Sequence, residues 1–76
     1  MGDKMLALLI NEDEKREIYY LIKREMEEIL LDLGDPRIDE SVKRSMRKKY
    51  VRLLDLFKRV AKEDECMEYL AYHQNI

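Results

Sequence analysis

Cys66 and His73 are the one cysteine and the one histidine of the chain, and no other residues in it are so well suited to nucleophilic or soft-metal chemistry near neutral pH. Seven residues apart, they fall roughly on one side of a helix, but a zinc site takes three or four such ligands and no others stand at ligand spacing. The carboxylates of Asp64, Glu65 and Glu68 beside Cys66 disfavour its thiolate, so a buried, small apolar side chain is expected there. His73 is expected to be a solvent-exposed tail histidine. Glu25, Glu27, Glu28 and Asp32 form an acidic cluster of the kind that holds metal in helical bundles, yet the Glu-x-x-His pair that completes such a site is missing. There is no Gly-rich phosphate loop and no Ser-His-Asp set, and two glycines leave little backbone for an oxyanion pocket. The expectation is a protein that is not an enzyme, with no catalytic residue, no cofactor and no metal.

Polyanion binding is the other chemistry these residues offer. Positions 42–62 carry nine basic residues and one acidic residue, Asp55, whereas the remainder carries six basic and sixteen acidic. The middle is thus near +8 and the rest near −10, within a net charge of −2. On a helical wheel Arg44, Arg47, Lys48, Arg52, Lys58, Arg59 and Lys62 lie mostly opposite the apolar seam. Such a stripe can track phosphates by displacing their counterions, and Arg44, Lys48, Arg52 and Arg59 are the candidate contacts. Base readout would also need Asn, Gln or aromatic residues among them, and only Val51 and Asp55 interrupt the stripe. The simpler assignment is a solvated face whose charges pair with the acidic first helix and the acidic tail.

The elements that carry these residues follow from capping and periodicity. Asn11 with Glu14 three residues on forms a capping box, and Glu12 and Asp13 suit the positive end of a helix dipole. The spacing of Ile18, Ile22, Met26, Ile29 and Leu33, flanked by Tyr19, Leu21 and Leu30, predicts one buried face of a helix over about 12–33. Gly34 is expected to end it in a left-handed conformation, and Pro36 blocks continuation. Asp39 is expected to cap a second helix over about 40–62, with Ile38 packing back as a hydrophobic staple. Its seam is Val42, Met46, Tyr50, Leu53, Phe57 and Val60, spaced like a short coiled coil and widened by Leu54 and Ala61. About five residues join the two helices, which must therefore lie antiparallel. A short third helix over about 65–73, capped by Asp64, brings Cys66, Met67, Tyr69, Leu70 and Tyr72 to the hairpin. Residues 5–10, Met-Leu-Ala-Leu-Leu-Ile, have no polar break and read either as a short strand or as an apolar lead-in turn. The fold class is all-α: one domain over 1–76, an antiparallel two-helix hairpin with a short third helix.

With 46% hydrophobic and 42% charged residues the 76-residue chain should fold, but a chain this short usually leans on a staple or a second copy. No internal disulfide can form, and the apolar run near Met1-Gly2-Asp3-Lys4 is too short for a signal peptide or a membrane span. A cytoplasmic location is expected. On the first helix Tyr20 and Leu31 share an outward face with Arg24 and Glu27. Together with Met5, Leu6, Leu8, Leu9 and Ile10 they are the candidate protein interface. The expected function is a small protein–protein interaction or regulatory module that associates with itself, with another protein, or with both. The alternative is a nucleic-acid-binding accessory protein using the basic face.

The stretch from Leu9-Ile10-Asn11-Glu12 through Leu31-Asp32-Leu33-Gly34-Asp35-Pro36-Arg37-Ile38-Asp39 to Val42-Lys43-Arg44 resembles a group of short uncharacterised helical-hairpin proteins from Bacillus-type Gram-positive bacteria. The shared pattern is one of helix boundaries. It implies a bacterial, cytoplasmic, helical protein and transfers no functional residue. The helical-hairpin phosphatases of sporulation control share the size, but their Ser-x-x-Leu-Asp signature is absent, since Ser41 is followed by Val42-Lys43-Arg44-Ser45.

Overall fold

Three helices follow one another: α1 (Glu12–Leu33), α2 (Glu40–Phe57) and α3 (Glu63–Gln74). The computed structural model describes residues 4–74; Met1, Gly2 and Asp3, on which the signal-peptide reading partly falls, lie outside the described residues. The capping box at the start of α1 is formed. The Asn11 side chain accepts from the Glu14 N–H at 2.8 Å, and the Glu14 carboxylate accepts from the Asn11 N–H at 3.0 Å. Two of the four free donors of the first turn are thereby satisfied.

The corner between α1 and α2 is built differently from expectation. Gly34 stays right-handed, at φ −84° and ψ −5°. Its N–H donates to Leu31 O at 3.1 Å and the next N–H, of Asp35, donates to Asp32 O at 3.0 Å, so a tightened last turn takes the place of a left-handed cap. Asp35 then fixes the exit: its carboxylate accepts from the Arg37 backbone at 2.9 Å and from the Arg37 guanidinium at 3.1 and 2.9 Å. Those bonds hold the Asp35 carboxyl below its ordinary value. Asp39 has the extended backbone of an N-cap, but its side chain makes no cap bond.

Beyond the corner the chain reverses. Tyr19 stacks on Phe57 at 5.4 Å, while Glu25, further along α1, meets Lys49, earlier in α2, which makes the pair antiparallel. The core takes Ile22, Met26 and Ile29 from α1, Tyr50, Leu54 and Phe57 from α2, and Cys66 and Tyr69 from α3. Met26, Tyr50 and Phe57 are the most completely sealed. Phe57 sits between Tyr19, stacked on it, and Tyr69, edge-on at 5.3 Å, an aromatic cluster that favours this packing beyond area burial alone. Leu54 is more deeply buried than Leu53, and Val42 and Leu21, expected in or beside the core, are exposed. Val42 lies in the first turn of α2, at the corner end.

α2 ends at Phe57 and not near 62. Arg59 N–H bonds Leu56 O at 3.0 Å, Val60 N–H bonds Phe57 O at 3.1 Å and Ala61 N–H bonds Phe57 O at 2.9 Å. This tight turn brings Val60 and Ala61 against the core and swings the chain into α3, which rests mainly on α2. α3 begins at Glu63, so Asp64 lies inside its first turn and accepts from the Glu65 N–H at 3.0 Å. Residues 4–10 form neither strand nor helix and are exposed throughout, and none of their backbone groups has a hydrogen-bond partner among the described residues. A strand needs a second strand to pair with, and the described residues supply none. No helix among them is long and apolar enough to cross a membrane.

Candidate interaction site

Met5, Leu6, Leu8 and Leu9 are between 78% and 97% exposed, four large apolar side chains within five consecutive positions. At the end of the hairpin away from the corner, Leu6, Leu8 and Ile10 form one wall of an apolar groove of about 290 Å³. Ile18 and Ile22 of α1, Leu56 near the end of α2, and Arg59 and Val60 of the turn that follows complete its lining. Of the segment, Leu6, Leu8 and Ile10 line the groove.

Tyr20 and Leu31 are both exposed, at 56% and 77%, but they do not form one patch with the segment. Eleven residues of helix separate them by about 16 Å. Tyr20 packs edge-on against Tyr19 at 5.0 Å and borders a second groove with Lys15, Arg16, Val60, Ala61 and Glu65. Leu31 stands alone near the corner.

The basic residues divide in two. Arg47 pairs with Glu40 and Lys58 with Asp55, each within its own stretch of chain, and Lys49 reaches Glu25 of α1 at 3.5 Å. That last contact is the one ion pair across the hairpin among the described residues. Arg44, Lys48, Arg52 and Arg59 are exposed, and no carboxylate among the described residues lies within 4.0 Å of any of them. Arg44, Lys48 and Arg52 follow at four-residue intervals on one face of α2, and Lys48 and Arg52 share a shallow groove with Ser45 and Lys49. Arg59 does not belong with them: α2 ends before it, and it sits at the apolar groove.

Three of the four carboxylates in the acidic cluster of α1 bond to other side chains. Glu27 accepts from the Tyr69 hydroxyl at 2.7 Å, Glu25 meets Lys49, and Glu28 meets Arg24 at 3.3 Å. A second tyrosine–carboxylate bond joins Tyr19 to Glu65, so α3 is tied to α1 by two phenol hydroxyls. Burial first, then the bond to Glu27, pushes the Tyr69 phenol well above its ordinary range. The hydrogen bond to Glu65 raises Tyr19, and burial pushes Tyr50 up to about 12. Cys66 is buried, and burial, reinforced by Glu65, raises its thiol.

His73 departs from expectation. It is half-buried with its ring stacked on Tyr50 at 5.8 Å, and its Nδ1 is buried without a hydrogen-bond partner among the described residues. Tyr69 and His73, four residues apart, share the face of α3 that lies on α2, which is why the histidine is drawn in. Sequence reasoning also missed Leu56, which completes the apolar groove, and Ser45 and Lys49 beside the basic stripe. Leu56 stands four residues before Val60, a spacing that marks it as a possible second wall once Ile10 is placed nearby.

No protein-family model matches the chain, and no curated protein and no solved structure matches it.

Proposed function

We propose that this chain is a non-enzymatic protein–protein interaction module that associates with itself, in the cytoplasm of a bacterium where its lone thiol stays reduced. One observation carries the proposal: Met5, Leu6, Leu8 and Leu9 are almost wholly exposed beside an apolar groove. Scattered exposed apolar residues are ordinary, but a contiguous group marks a surface that another chain covers. A domain of 76 residues also gains more than a large one from such cover, because its own core is small. Molar mass by light scattering over a tenfold concentration range, at low and high salt, is the test. A dimer or larger species that persists in high salt supports apolar self-association, and a monomer under every condition rejects it.

A second reading rests on Arg44, Lys48 and Arg52, exposed and without a carboxylate partner among the described residues. Their spacing of about 6 Å along α2 suits successive phosphates of a nucleic acid backbone. Fluorescence anisotropy with a short labelled duplex tests it: binding that falls steeply with salt supports this reading, and no binding at low salt rejects it.

A further inference from the structure

We infer that Arg44, Lys48 and Arg52 of α2 hold three successive phosphates on one strand of a DNA duplex without reading its bases. This rests on the second reading above and is independent of self-association. From Ser41 to Leu54 α2 contains no acidic residue, and the three cations are exposed with no carboxylate among the described residues within 4.0 Å. Four-residue steps set them on one ridge of the helix, about 6 Å apart and about 12 Å from end to end. Their basic neighbours are engaged: Arg47 with Glu40, Lys49 with Glu25 and, past the helix end, Lys58 with Asp55. Asp55, three residues beyond Arg52, closes the ridge. Ser45, in the groove shared with Lys48 and Arg52, adds an uncharged donor.

Charge and spacing select the occupant. Cations at equal intervals suit a polymer that repeats one negative charge per unit, as a nucleic acid backbone does. The remainder of the chain outside 42–62, with six basic and sixteen acidic residues, turns such a polymer away from the other faces. A single strand is held largely by stacking on exposed aromatic rings, but the two aromatics of α2, Tyr50 and Phe57, are both fully buried. α2 carries no Asn or Gln to pair with adenine, so contact stays on the phosphates. An RNA duplex is gripped across successive grooves over about 16 base pairs, a span that a ridge of about 12 Å does not reach.

Fluorescence anisotropy over a salt series tests this with three labelled probes of one sequence: a DNA duplex, its single strand and the matching RNA duplex. The DNA duplex is expected to bind several-fold more tightly than the other two, with a slope of log affinity against log salt of about −3. Arg44→Gln, Lys48→Gln and Arg52→Gln, each checked for an unchanged melt, are each expected to flatten that slope by about one. Arg24→Gln, on the outward face of α1, is expected to leave it unchanged. If the single strand or the RNA duplex binds as tightly as the DNA duplex, or if the three variants keep the wild-type slope, the assignment is overturned while nucleic acid binding stands. If none of the probes binds at low salt, nucleic acid binding is itself rejected and the assignment with it.

Discussion

The Tyr69 hydroxyl of α3 donates to the Glu27 carboxylate of α1 at 2.7 Å. The carbonyl of the same tyrosine accepts from the buried Tyr50 hydroxyl of α2 at 2.8 Å, and its ring packs edge-on against Phe57. One residue of the short third helix thus contacts both arms of the hairpin. Tyr69→Phe keeps the ring and loses the bond to Glu27, and is expected to cost about 1 kcal/mol, a fall of about 4–8 °C in thermal midpoint for a domain of this size. Tyr69→Ala, which also empties the site, is expected to cost about 3–5 kcal/mol. Thermal melts followed by circular dichroism check both.

Phe57 is fully buried between Tyr19 and Tyr69, whereas Met46 is half-buried at the side of the core. Phe57→Asp leaves a charge with nothing apolar replaced around it and is expected to abolish the cooperative transition, because an unpaired buried charge costs several kcal/mol. Met46→Asp is expected to lower the midpoint and leave a transition, since its carboxylate can reach water. Equal effects at the two sites in a denaturant titration would contradict this ranking of the core.

The buried Tyr50 phenol, pushed up to about 12 by burial, makes stability fall in alkali. The unfolded chain releases this proton near the ordinary tyrosine value of about 10, and the folded chain holds it longer. Its contribution is therefore fully present below about pH 10 and is lost as pH rises toward 12. Tyr69 and Tyr19 shift in the same direction and add to the loss. Denaturant midpoints across that range should decline, and Tyr50→Phe should flatten the decline. A midpoint that held steady through the window would contradict the assignment.

Arg44 and Lys48 have no carboxylate partner among the described residues, so replacing both with Gln is expected to leave the thermal midpoint where it is. Surface changes away from specific contacts do little to stability. Lys49→Gln, which removes the pair with Glu25, is expected to act only slightly more, since exposed ion pairs contribute little. A sharp fall for the Arg44 and Lys48 double variant would make the stripe an internal brace.

The parts of this fold that could be read from sequence are those where one local interaction decides. Asn11 and Glu14 stand three apart and cap each other whatever the rest of the chain does, and Ile22, Met26, Ile29, Tyr50 and Phe57 keep helical spacing on faces with no competing polar residue. The end of α2 could not be read, because Lys58 to Lys62 contain no glycine or proline and are good helix formers. The chain turns there because Val60, Ala61 and then α3 gain cover on the core, a tertiary effect. Drawing the helix through to 62 also placed Arg59 on the basic stripe, when the turn carries it to the apolar groove. The inward position of His73 and the tyrosine bonds to Glu27 and Glu65 depend on how α3 lies across the hairpin, which no local spacing specifies. Residues 5–10 are apolar at every position, so their sequence has no period to read; which of them line the groove emerges only from the fold.

Self-association through the exposed apolar segment is tested most directly by molar mass, measured by light scattering in high salt on the wild-type chain and on a Leu6→Ser, Leu8→Ser, Leu9→Ser triple variant in parallel. The predicted result is twice the 9.3 kDa chain mass for the wild type and the single-chain mass for the variant, with matching melts. Equal masses for the two proteins would contradict it.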